Sequence, residues 1–486
     1  MADIHPPDPA TQPETDALPI SSLMAQESSG LVVVWAPGDP GLVGAWLPLS
    51  NEPKVLGRGP AQSTDPAPRV QAIRQSPGAN QLLEPFASPA LSRIQLELCQ
   101  IEDGARLRIE NLGRCKLTVN DLPCDEALVE PGDILQIGNQ LLLLCVRRVA
   151  RLTGQFSERH RFGEPDEHGF VGESPAIWLL RQELRFVGGR PGHVLIHGES
   201  GTGKELAANA LHRASKRPGP LIARNAATFP DTLIDAELFG CAKGFPNPGL
   251  PERIGLIGAA HTGTLFLDEF AELPLAQQTR LLRVLDAGEY QSLGEATLRR
   301  ADVRVVGATN RVLDDLRADV AARFAFVLRM PNLGSRVEDI PLIVRHLLKQ
   351  VAREDAELRA RFFQPDDEPR LSAGLLMGLL RGPAIGNVRW LRNTLWRSLA
   401  ESSGDTLHWP KSLSGQFARS SSVAPPPPPS SGEESASEPE RERIRDVLER
   451  NQGSVDKTWR ELGLSSRFAL SRLLKKHGIT LRRSTS

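Results

Sequence analysis

GESGTGKE, at residues 198–205, lies between the apolar run HVLIH and the helical pattern LAANALHRAS. Small residues between a strand and a helix let backbone N–H groups approach phosphate oxygens, and the N-terminus of the helix adds positive potential. We predict a phosphate loop in which Lys204 reaches the terminal phosphates of a nucleotide. A glycine-rich turn that binds no nucleotide is the alternative. The predicted nucleotide contacts are Gly198, Glu199, Ser200, Gly201, Thr202, Gly203, Lys204 and Glu205.

A second motif, TLFLDE at residues 264–269, predicts a buried strand that ends in two carboxylates. Ligands of open α/β sheets gather at such strand ends. Asp268 is therefore a candidate magnesium ligand, directly or through water, and Glu269 is a candidate for orienting the attacking water. An acidic strand end alone is often an ordinary turn, but together with the phosphate loop it favours a nucleoside triphosphatase.

The overall composition sets limits on the class of protein. With 486 residues, 40% of them hydrophobic, the chain has room for about three domains. Its net charge of −1 gives no global reason to expect nucleic acid or membrane. The five cysteines form no Cys-x-x-Cys pair, which suits free thiols in a reducing cytosol. No apolar run near either end approaches the roughly 20 residues of a membrane helix, so we expect a cytoplasmic protein without a membrane partner.

Composition also divides the chain into segments. Stretches rich in Pro, Ser and acidic residues predict unfolded chain, short apolar runs separated by turn residues predict an all-β module, and alternating strand and helix patterns predict a parallel sheet flanked by helices. The predicted segments are a disordered N-terminus (1–30), a β-sandwich (31–148), a linker (149–169), an α/β subdomain (170–333), a helical lid (334–410), a Pro/Ser-rich linker (411–440) and a small helical domain (441–486).

The middle of the chain resembles a known family. The motifs GESGTGKE, ARNAA, ELFG, TGTLFLDE, LPLAQQTRLLRVLD, ADVRVVGATNR, RVEDIP and GNVRWLRN follow one another in that order. As an ordered set they resemble the AAA+ domain of bacterial enhancer-binding proteins, which activate sigma-54 RNA polymerase. That family characteristically carries glutamate where Glu205 stands. The resemblance implies ATP and Mg²⁺ as cofactors and a homo-oligomeric ring, a hexamer, with active sites between subunits.

The resemblance also implies roles for single residues. Asn225 resembles the switch residue that holds the catalytic glutamate until hydrolysis is sensed, and Asn310 resembles part of sensor I. Arg317 and Arg323, in LRADVAARF, match the two arginines that reach the nucleotide of a neighbouring subunit, where an arginine neutralises charge in the transition state. Arg389, in GNVRW, matches sensor II.

One loop departs from the family pattern. After ELFG the family reads Gly-Ala-Phe-Thr-Gly-Ala, and its Phe and Thr contact sigma-54. Pro246 stands in place of that Phe, and Asn247 in place of the Thr. The paired prolines stiffen the loop. The residues of the nucleotide motifs therefore resemble those of the family, whereas the two residues expected to contact sigma-54 are replaced. The six loop positions are Gly244, Phe245, Pro246, Asn247, Pro248 and Gly249.

The β-rich module resembles a forkhead-associated (FHA) domain, which reads phosphothreonine. Arg58, Ser92, Arg93 and Asn120 stand at positions that match the Gly-Arg, Ser-Arg and late Asn of that family. Arg58 and Ser92 are candidates for holding a phosphate through charge-assisted hydrogen bonds. The family His after Ser-Arg is Gln95 here. A scaffold domain that binds no phosphopeptide is the alternative.

The C-terminal segment LGLSSRFALSRLLKKHGI resembles a Fis-type helix-turn-helix. From Lys457 to the last residue there are eight Lys or Arg and one Glu, a local net charge of +7. Such a charge favours contact with DNA phosphates, although a solvated basic helix would look the same. The predicted DNA contacts are Ser466, Arg467, Ser471, Arg472 and Lys475.

Together these observations predict a multidomain chain: an all-β FHA-like sandwich, an α/β AAA+ P-loop ATPase with a helical lid, and a small all-α helix-turn-helix. We expect an ATP-dependent transcription regulator that binds double-stranded DNA and an RNA polymerase holoenzyme, with sigma-54 or another sigma factor, under the control of a phosphothreonine protein. The alternative is a DNA-bound repressor or activator that works with another RNA polymerase holoenzyme, or through DNA occupancy, without remodelling sigma-54.

Overall fold

The computed structural model describes residues 27–152, 160–230, 232–311, 316–382 and 385–413, together with residues 447, 450 and 458. By its internal contacts the chain divides into two units, residues 1–418 and 419–486. All helices and strands given below belong to the first unit. The predicted helix-turn-helix, with its DNA contacts Ser466, Arg467, Ser471, Arg472 and Lys475, and most of the predicted N-terminal segment lie outside the described residues, so both stay predictions.

The N-terminal region is an antiparallel β-sandwich, as the sequence predicts. Its strands are β1 (Glu27–Trp35), β2 (Trp46–Leu47), β3 (Lys54–Leu56), β4 (Ile73–Ser76), β5 (Ala79–Leu82), β6 (Leu96–Ile101), β7 (Arg106–Asn111), β8 (Leu117–Val119), β9 (Leu122–Cys124), β10 (Glu126–Val129), β11 (Ile134–Ile137) and β12 (Leu141–Val149). One sheet has the order β5-β4-β2-β1-β12-β11-β8-β9, and the other has the order β10-β7-β6-β3.

The central strands of the larger sheet are buried on both faces. Its central strands β1 and β12 pair antiparallel from Glu27 opposite Val149 to Trp35 opposite Leu142. Successive side chains of a strand point to opposite faces. Leu31 and Val33 enter the core between the two sheets, whereas Val32 and Val34 enter a second core on the outer face.

The central region is an α/β fold. Its elements are α1 (Pro175–Gly188), β13 (His193–His197), α2 (Lys204–Ser215), β14 (Leu221–Asn225), α3 (Ile234–Phe239), β15 (Gly240–Cys241), β16 (Arg253–Ile254), α4 (Leu256–Ala259), β17 (Thr264–Asp268), α5 (Leu275–Ala287), β18 (Glu289–Tyr290), β19 (Arg299–Arg300), β20 (Arg304–Thr309), α6 (Ala318–Ala321) and β21 (Phe324–Arg329). Five parallel strands form one sheet in the order β14-β17-β20-β13-β21. Their carboxyl ends therefore share one edge.

Helix α1 begins after a capping serine. The Ser174 hydroxyl accepts a hydrogen bond from the Ile177 backbone N–H at 3.4 Å, and Pro175 occupies the first turn. Such a cap satisfies one of the backbone donors that an α-helix leaves free. The Ser174 hydroxyl also donates to a carboxylate oxygen of Asp339 at 2.6 Å, which links this helix to the segment that leads into the lid.

Four helices form the lid: α7 (Ile340–Glu354), α8 (Ala356–Phe362), α9 (Ala373–Arg381) and α10 (Asn387–Glu401). Their apolar side chains share one continuous core with the outer face of the larger sandwich sheet. The Trp35 indole N–H donates to the Leu371 carbonyl oxygen at 2.9 Å, and Arg381 forms an ion pair with Asp121. The sandwich is therefore packed against the lid.

The described residues also bear on two expectations from composition. None of the helices among them has the length and apolar character needed to cross a bilayer. All five cysteines are free thiols, and burial raises the pKa of the Cys145 thiol to about 12.

Candidate functional site

The predicted phosphate loop connects β13 to α2 at the carboxyl edge of the sheet. The Gly198 N–H donates to the Thr309 carbonyl oxygen at 3.1 Å, which ties the start of the loop to the neighbouring strand. Gly201 and Gly203 have φ values of +78° and +98°, which favour glycine. A Cβ atom on Gly201 would lie 2.2 Å from the Gly386 carbonyl oxygen. The close approach of loop and lid therefore requires glycine.

Lys204 is the first residue of α2 and is buried. Its ammonium group donates to the carbonyl oxygens of Gly198, at 3.0 Å, and Glu199, at 3.4 Å. The Thr202 hydroxyl also donates to the Glu199 carbonyl oxygen, at 2.8 Å. The lysine charge and the helix N-terminus thus meet inside one glycine-rich turn, an arrangement that fits the phosphates of a nucleotide.

The predicted carboxylates lie at the same edge of the sheet. Asp268 ends β17 directly opposite Asn225, the last residue of β14. The Glu269 N–H donates to the Asp268 carboxylate at 3.0 Å, and Glu269 has a left-handed backbone with φ +51°. That conformation is rare for a residue with a side chain and is concentrated at functional sites. Asn310 follows the end of β20 and is exposed.

The donor set suits a nucleotide with a divalent cation. Among the described residues, no group of three or more His, Cys, Asp or Glu side chains is arranged to hold a metal ion. Mg²⁺ commonly binds through one or two carboxylates, water and substrate phosphates instead of an all-protein cage. Asp268, at the same edge of the sheet as the phosphate loop, fits that mode.

The lid contributes directly to the phosphate loop. The Arg389 guanidinium donates to the Ser200 hydroxyl at 2.9 Å. The Val388 N–H donates to the Gly201 carbonyl oxygen at 3.2 Å. The structure thus brings the predicted sensor II arginine onto the loop that the sequence assigns to phosphates.

Two further residues were missed by the sequence reasoning, one just before the lid and one at the start of its last helix. The amide groups of Asn332 and Asn387 donate to the two carboxylate oxygens of Glu199, at 2.9 and 3.0 Å. These hydrogen bonds hold the pKa of the Glu199 carboxyl below its usual value. The available signal was the Gly-Asn pair that starts α10, because Asn is favoured at helix starts and tolerates a left-handed backbone.

Arg317 and Arg323 are not at the phosphate loop of their own chain. Arg317 forms a bidentate ion pair with Asp319, with N–O distances of 3.0 and 2.7 Å, and this hydrogen bonding raises the pKa of Arg317. Arg323 pairs with Asp286. Both arginine side chains remain partly exposed, at 38% and 47%. Within the described residues both guanidinium groups thus lie partly at the surface, paired with aspartates of their own chain.

The loop between β15 and β16 is a hairpin with an exposed tip. The Gly244 N–H donates to the Leu250 carbonyl oxygen at 2.9 Å, and Phe245 lies against Gly294 of the hairpin between β18 and β19. Pro246, Asn247, Pro248 and Gly249 are exposed. In sequence, Phe245 stands one position before Pro246, the residue in place of the phenylalanine that contacts sigma-54 in the enhancer-binding proteins.

In the sandwich, two of the predicted phosphate contacts are neighbours. The Arg58 N–H donates to the Ser92 carbonyl oxygen at 3.1 Å. The Ser92 hydroxyl accepts from the Arg114 N–H at 2.9 Å. Arg93 is exposed on the same loop. Asn120 instead holds its own turn, because its side chain donates to Asp133 at 2.7 Å and accepts from the Ile134 N–H at 3.1 Å.

Gln95, at the position where the FHA pattern that the sequence resembles has histidine, organises the loop around Ser92. Its side-chain oxygen accepts from the Ser92 N–H at 3.3 Å. Its amide group donates to Asn111 at 2.7 Å and to the Cys115 carbonyl oxygen at 2.9 Å. The Gln95 side chain is fully buried, so this substitution keeps the two loops connected by hydrogen bonds.

Comparison with known proteins places these features in context. The family described as the sigma-54 interaction domain matches residues 170–333. The chain is 42% identical over 247 residues to the DNA-binding transcriptional regulator NtrC of Azospirillum brasilense, covering 49% of each protein. It is 32% identical over 380 residues to the anaerobic nitric oxide reductase transcription regulator NorR of Aeromonas hydrophila subsp. hydrophila, covering 73% of this chain and 72% of NorR.

Among solved structures, NtrX from Brucella abortus in complex with ATP is 29% identical, covering 65% of this chain and 70% of NtrX with a TM-score of 0.44. The chain spans about half the length of most of the curated relatives that it matches, for example 49% of NtrC from Azospirillum brasilense and 47% of NtrC from Rhizobium meliloti.

Proposed function

The chain belongs to the family of AAA+ transcription regulators that carry the sigma-54 interaction domain, and on that premise we propose that it hydrolyses ATP, with Mg²⁺, to control transcription by RNA polymerase. The observation that carries this proposal is the meeting of Lys204, Asp268, Asn225 and Arg389 at one edge of the parallel sheet. Ligands of open α/β sheets bind at that edge.

Each residue has a distinct task in this proposal. Lys204 and the N–H groups of residues 198–205 bind the phosphates, Asp268 binds Mg²⁺ directly or through water, and Glu269 orients the attacking water. Asn225, one strand away from Asp268, holds Glu269 until hydrolysis is sensed. Mg²⁺ bound here neutralises charge on the phosphates.

The ring assembly is part of the same proposal. Arg317 and Arg323 of one subunit reach the nucleotide of the next subunit in a homohexamer, where they neutralise charge that develops on the transferred phosphoryl group. Their partial exposure, with aspartate partners on their own subunit, supports this role. Asn310 senses the terminal phosphate.

Signal input and DNA binding complete the proposal. The FHA-like sandwich binds a phosphothreonine protein through Arg58, Ser92 and Arg93; the contact between Arg58 and the loop of Ser92 supports this assignment.

The C-terminal helix-turn-helix binds double-stranded DNA through its basic segment. Phosphate contacts from such a segment would position the protein on DNA, and Ser466 and Arg467 would reach base edges.

A second candidate output rests on the exposed loop tip. Pro246 and Asn247 present neither the aromatic ring nor the hydroxyl of the family contact. A different RNA polymerase holoenzyme, or DNA occupancy alone, is therefore the alternative to sigma-54. In this alternative ATP sets only the oligomeric state.

The first experiment measures ATP hydrolysis by the full chain beside Lys204→Ala and Glu269→Gln. We expect both variants to lose at least about 100-fold in turnover, because one removes the phosphate-binding charge and the other the water-orienting carboxylate. Glu269→Gln should still bind ATP. Normal turnover in both variants would refute the ATPase proposal.

The second experiment asks which output is used. The full chain, trapped with ADP and aluminium fluoride, is tested for binding to sigma-54, beside a Pro246→Phe/Asn247→Thr variant. Binding by the unmodified chain supports sigma-54 as the partner. Binding by the variant alone, or by neither protein, favours the alternative output.

A further inference from the structure

The Glu199 carboxylate is held by two residues, one in the segment that leads into the lid and one at the start of the last lid helix. Its Oε1 atom accepts from Asn332 Nδ2 at 2.9 Å, and its Oε2 atom accepts from Asn387 Nδ2 at 3.0 Å. Glu199 belongs to the phosphate loop, Asn332 to the segment between β21 and α7, and Asn387 to the start of α10. One side chain thus connects the loop to both the entry and the last helix of the lid.

Asn387 is the most constrained of these residues. Its side chain is buried and also donates to the Ser200 carbonyl oxygen at 3.0 Å. Its Oδ1 atom accepts from the Leu333 N–H at 2.6 Å. The backbone φ of Asn387, the first residue of α10, is +52°. Asn tolerates this conformation better than most residues with a side chain, and here the hydrogen bonds of its own amide hold it in place.

Asn332 is fixed in a similar way. Its Oδ1 atom accepts from the Ser335 N–H at 2.9 Å, which caps the helical turn after β21 and directs the amide group towards Glu199. The backbone of this segment therefore cannot shift without moving the Glu199 contact. The same turn contains Leu333, whose N–H is bound by Asn387.

The position of Arg389 depends on this arrangement. Arg389 lies two residues after Asn387 on α10, and its guanidinium reaches the Ser200 hydroxyl at 2.9 Å. A displacement of the first turn of α10 would therefore move Arg389 away from the phosphate loop.

We propose that Glu199, Asn332 and Asn387 form a clasp that positions the phosphate loop, the lid and Arg389 for nucleotide binding. These are positioning residues, and the inference rests on the proposed nucleotide function of the same site. Without the clasp, loop and lid would have to be ordered when the nucleotide binds, and that ordering would reduce affinity. The chemical groups Asp268 and Glu269 make no contribution to the clasp, so turnover at saturating ATP would change less than affinity.

The test uses the full chain and measures the Kd for ADP by calorimetry, and KM and kcat for ATP where hydrolysis is seen. Asn387→Gly keeps the left-handed backbone and removes the side chain. Asn387→Asp places two carboxylates against each other. Glu199→Gln/Asn387→Asp restores one hydrogen bond with its polarity reversed. Asn393→Asp, an exposed position on the same helix, is the matched control.

We expect Asn387→Gly to raise the Kd for ADP about tenfold, because it removes hydrogen bonds to a charged group and to a backbone carbonyl. Asn387→Asp should have a larger effect, which the double variant should reverse in part. In the Asn387 variants, KM for ATP should rise more than kcat falls. The control Asn393→Asp should change neither KM nor kcat.

Two results overturn the clasp. One is an unchanged Kd for ADP in Asn387→Gly. Because glycine tolerates the left-handed backbone of residue 387, this variant tests the clasp even if Asn387→Asp does not fold. The other is a double variant that binds ADP no better than Asn387→Asp. The proposed function fails separately: an unmodified chain that binds no ADP would refute the nucleotide site itself, whereas normal ADP binding by Asn387→Gly would refute the clasp alone.

Discussion

Arg148, near the end of the last sandwich strand, forms a buried ion pair with Glu338, which lies 190 residues later at the entrance to the lid. The distance between Arg148 Nη2 and Glu338 Oε1 is 2.8 Å, and a second hydrogen bond from Nε measures 3.1 Å. The side chains are 2% and 8% exposed. The neighbouring Asp339 accepts from the Glu173 and Ser174 N–H groups at the start of α1. Sandwich, lid and α/β region thus meet at this ion pair.

Replacement of Arg148 alone should destabilise the protein. Burial raises the pKa of Glu338, and Arg148 opposes that rise, so Arg148→Met leaves a carboxyl that is buried without its cation. Breaking a buried ion pair in this way costs about 3–5 kcal/mol. Urea denaturation of the full chain at neutral pH should show the loss as a lower unfolding midpoint.

The double variant Arg148→Met/Glu338→Leu is the control for that prediction. Two apolar side chains of similar size leave no buried charge, and such replacements are often neutral or stabilising. The double variant should therefore unfold at higher urea than Arg148→Met alone. Equal midpoints for the two variants would show that the ion pair does not determine stability at this joint.

The arginine assignment predicts complementation between subunits. Arg317→Ala should lower ATP turnover by about 1,000-fold or more, because an arginine supplied to a neighbouring site contributes this much in related chemistry. Glu269→Gln should be inactive because it lacks the carboxylate that orients the attacking water. A mixture of the two variants should regain part of the activity, since some interfaces then combine an intact Glu269 with an intact Arg317.

The matched control is a mixture of Arg317→Ala with Arg317→Ala/Glu269→Gln, in which no interface has an intact arginine. This mixture should stay inactive. If the first mixture is equally inactive although both variants assemble with each other, Arg317 acts within its own subunit or has no catalytic role.

The sandwich assignment predicts binding of a phosphorylated peptide. Arg58→Ala should weaken the binding of a phosphothreonine peptide at least about tenfold, because hydrogen bonds between a charged donor and phosphate are strong. Fluorescence anisotropy with a labelled peptide library measures this directly. The same peptides without phosphate are the control, and equal affinity of Arg58→Ala and the unmodified chain for the phosphorylated forms would exclude this pocket.

Protonation of His193 should destabilise the fold. The partly buried ring accepts at Nδ1 from the Val305 N–H at 2.9 Å, and Nε2 contacts the Leu285 carbonyl oxygen at 3.0 Å. Burial lowers the pKa of His193 below its usual 6.5. The unfolded chain therefore binds a proton at His193 more readily than the folded chain does. The stability that neutral His193 contributes is present above pH 6.5 and is lost as the pH falls towards the pKa of His193 in the folded protein.

Denaturation midpoints between pH 7.5 and 5.5 test this direction. One proton accounts for at most about 1.4 kcal/mol per pH unit. His193→Asn keeps an acceptor near the Nδ1 position but does not titrate, so its stability should depend less on pH. The same change at the exposed His408 should leave the pH dependence intact; an identical slope in all three proteins would refute the prediction.

Local patterns were sufficient to predict that the phosphate loop and the two carboxylates lie at one edge of the sheet. The phosphate loop and the strand that ends in Asp268 are contiguous motifs, and the carboxyl ends of parallel strands share an edge by geometry. The structure brings Asn225 opposite Asp268 and Arg389 onto Ser200. The sequence did not identify Asn332 as a partner of Glu199, because that contact joins residues 133 positions apart and depends on how the lid packs.

The contact between sandwich and lid was also missed, although the sequence contains a signal for it. The runs Leu31–Val34 and Leu141–Leu144 are continuously apolar, whereas a strand with one solvated face alternates apolar and polar residues. Continuous runs in an antiparallel sandwich indicate burial on both faces. Which element covers the outer face cannot be inferred from the runs themselves.

The core that the outer sandwich face shares with α7 and α9 limits how this chain can be recombined in evolution or in the laboratory. Excision of residues 27–149 would uncover Leu342 and Leu376 and leave an aggregation-prone surface on the remaining protein. A segment that is exchanged between proteins therefore has to contain the sandwich as well as the lid if the lid is to keep its core. A chimaera with a different input domain would need a lid surface redesigned to be polar, or one matched to the new domain.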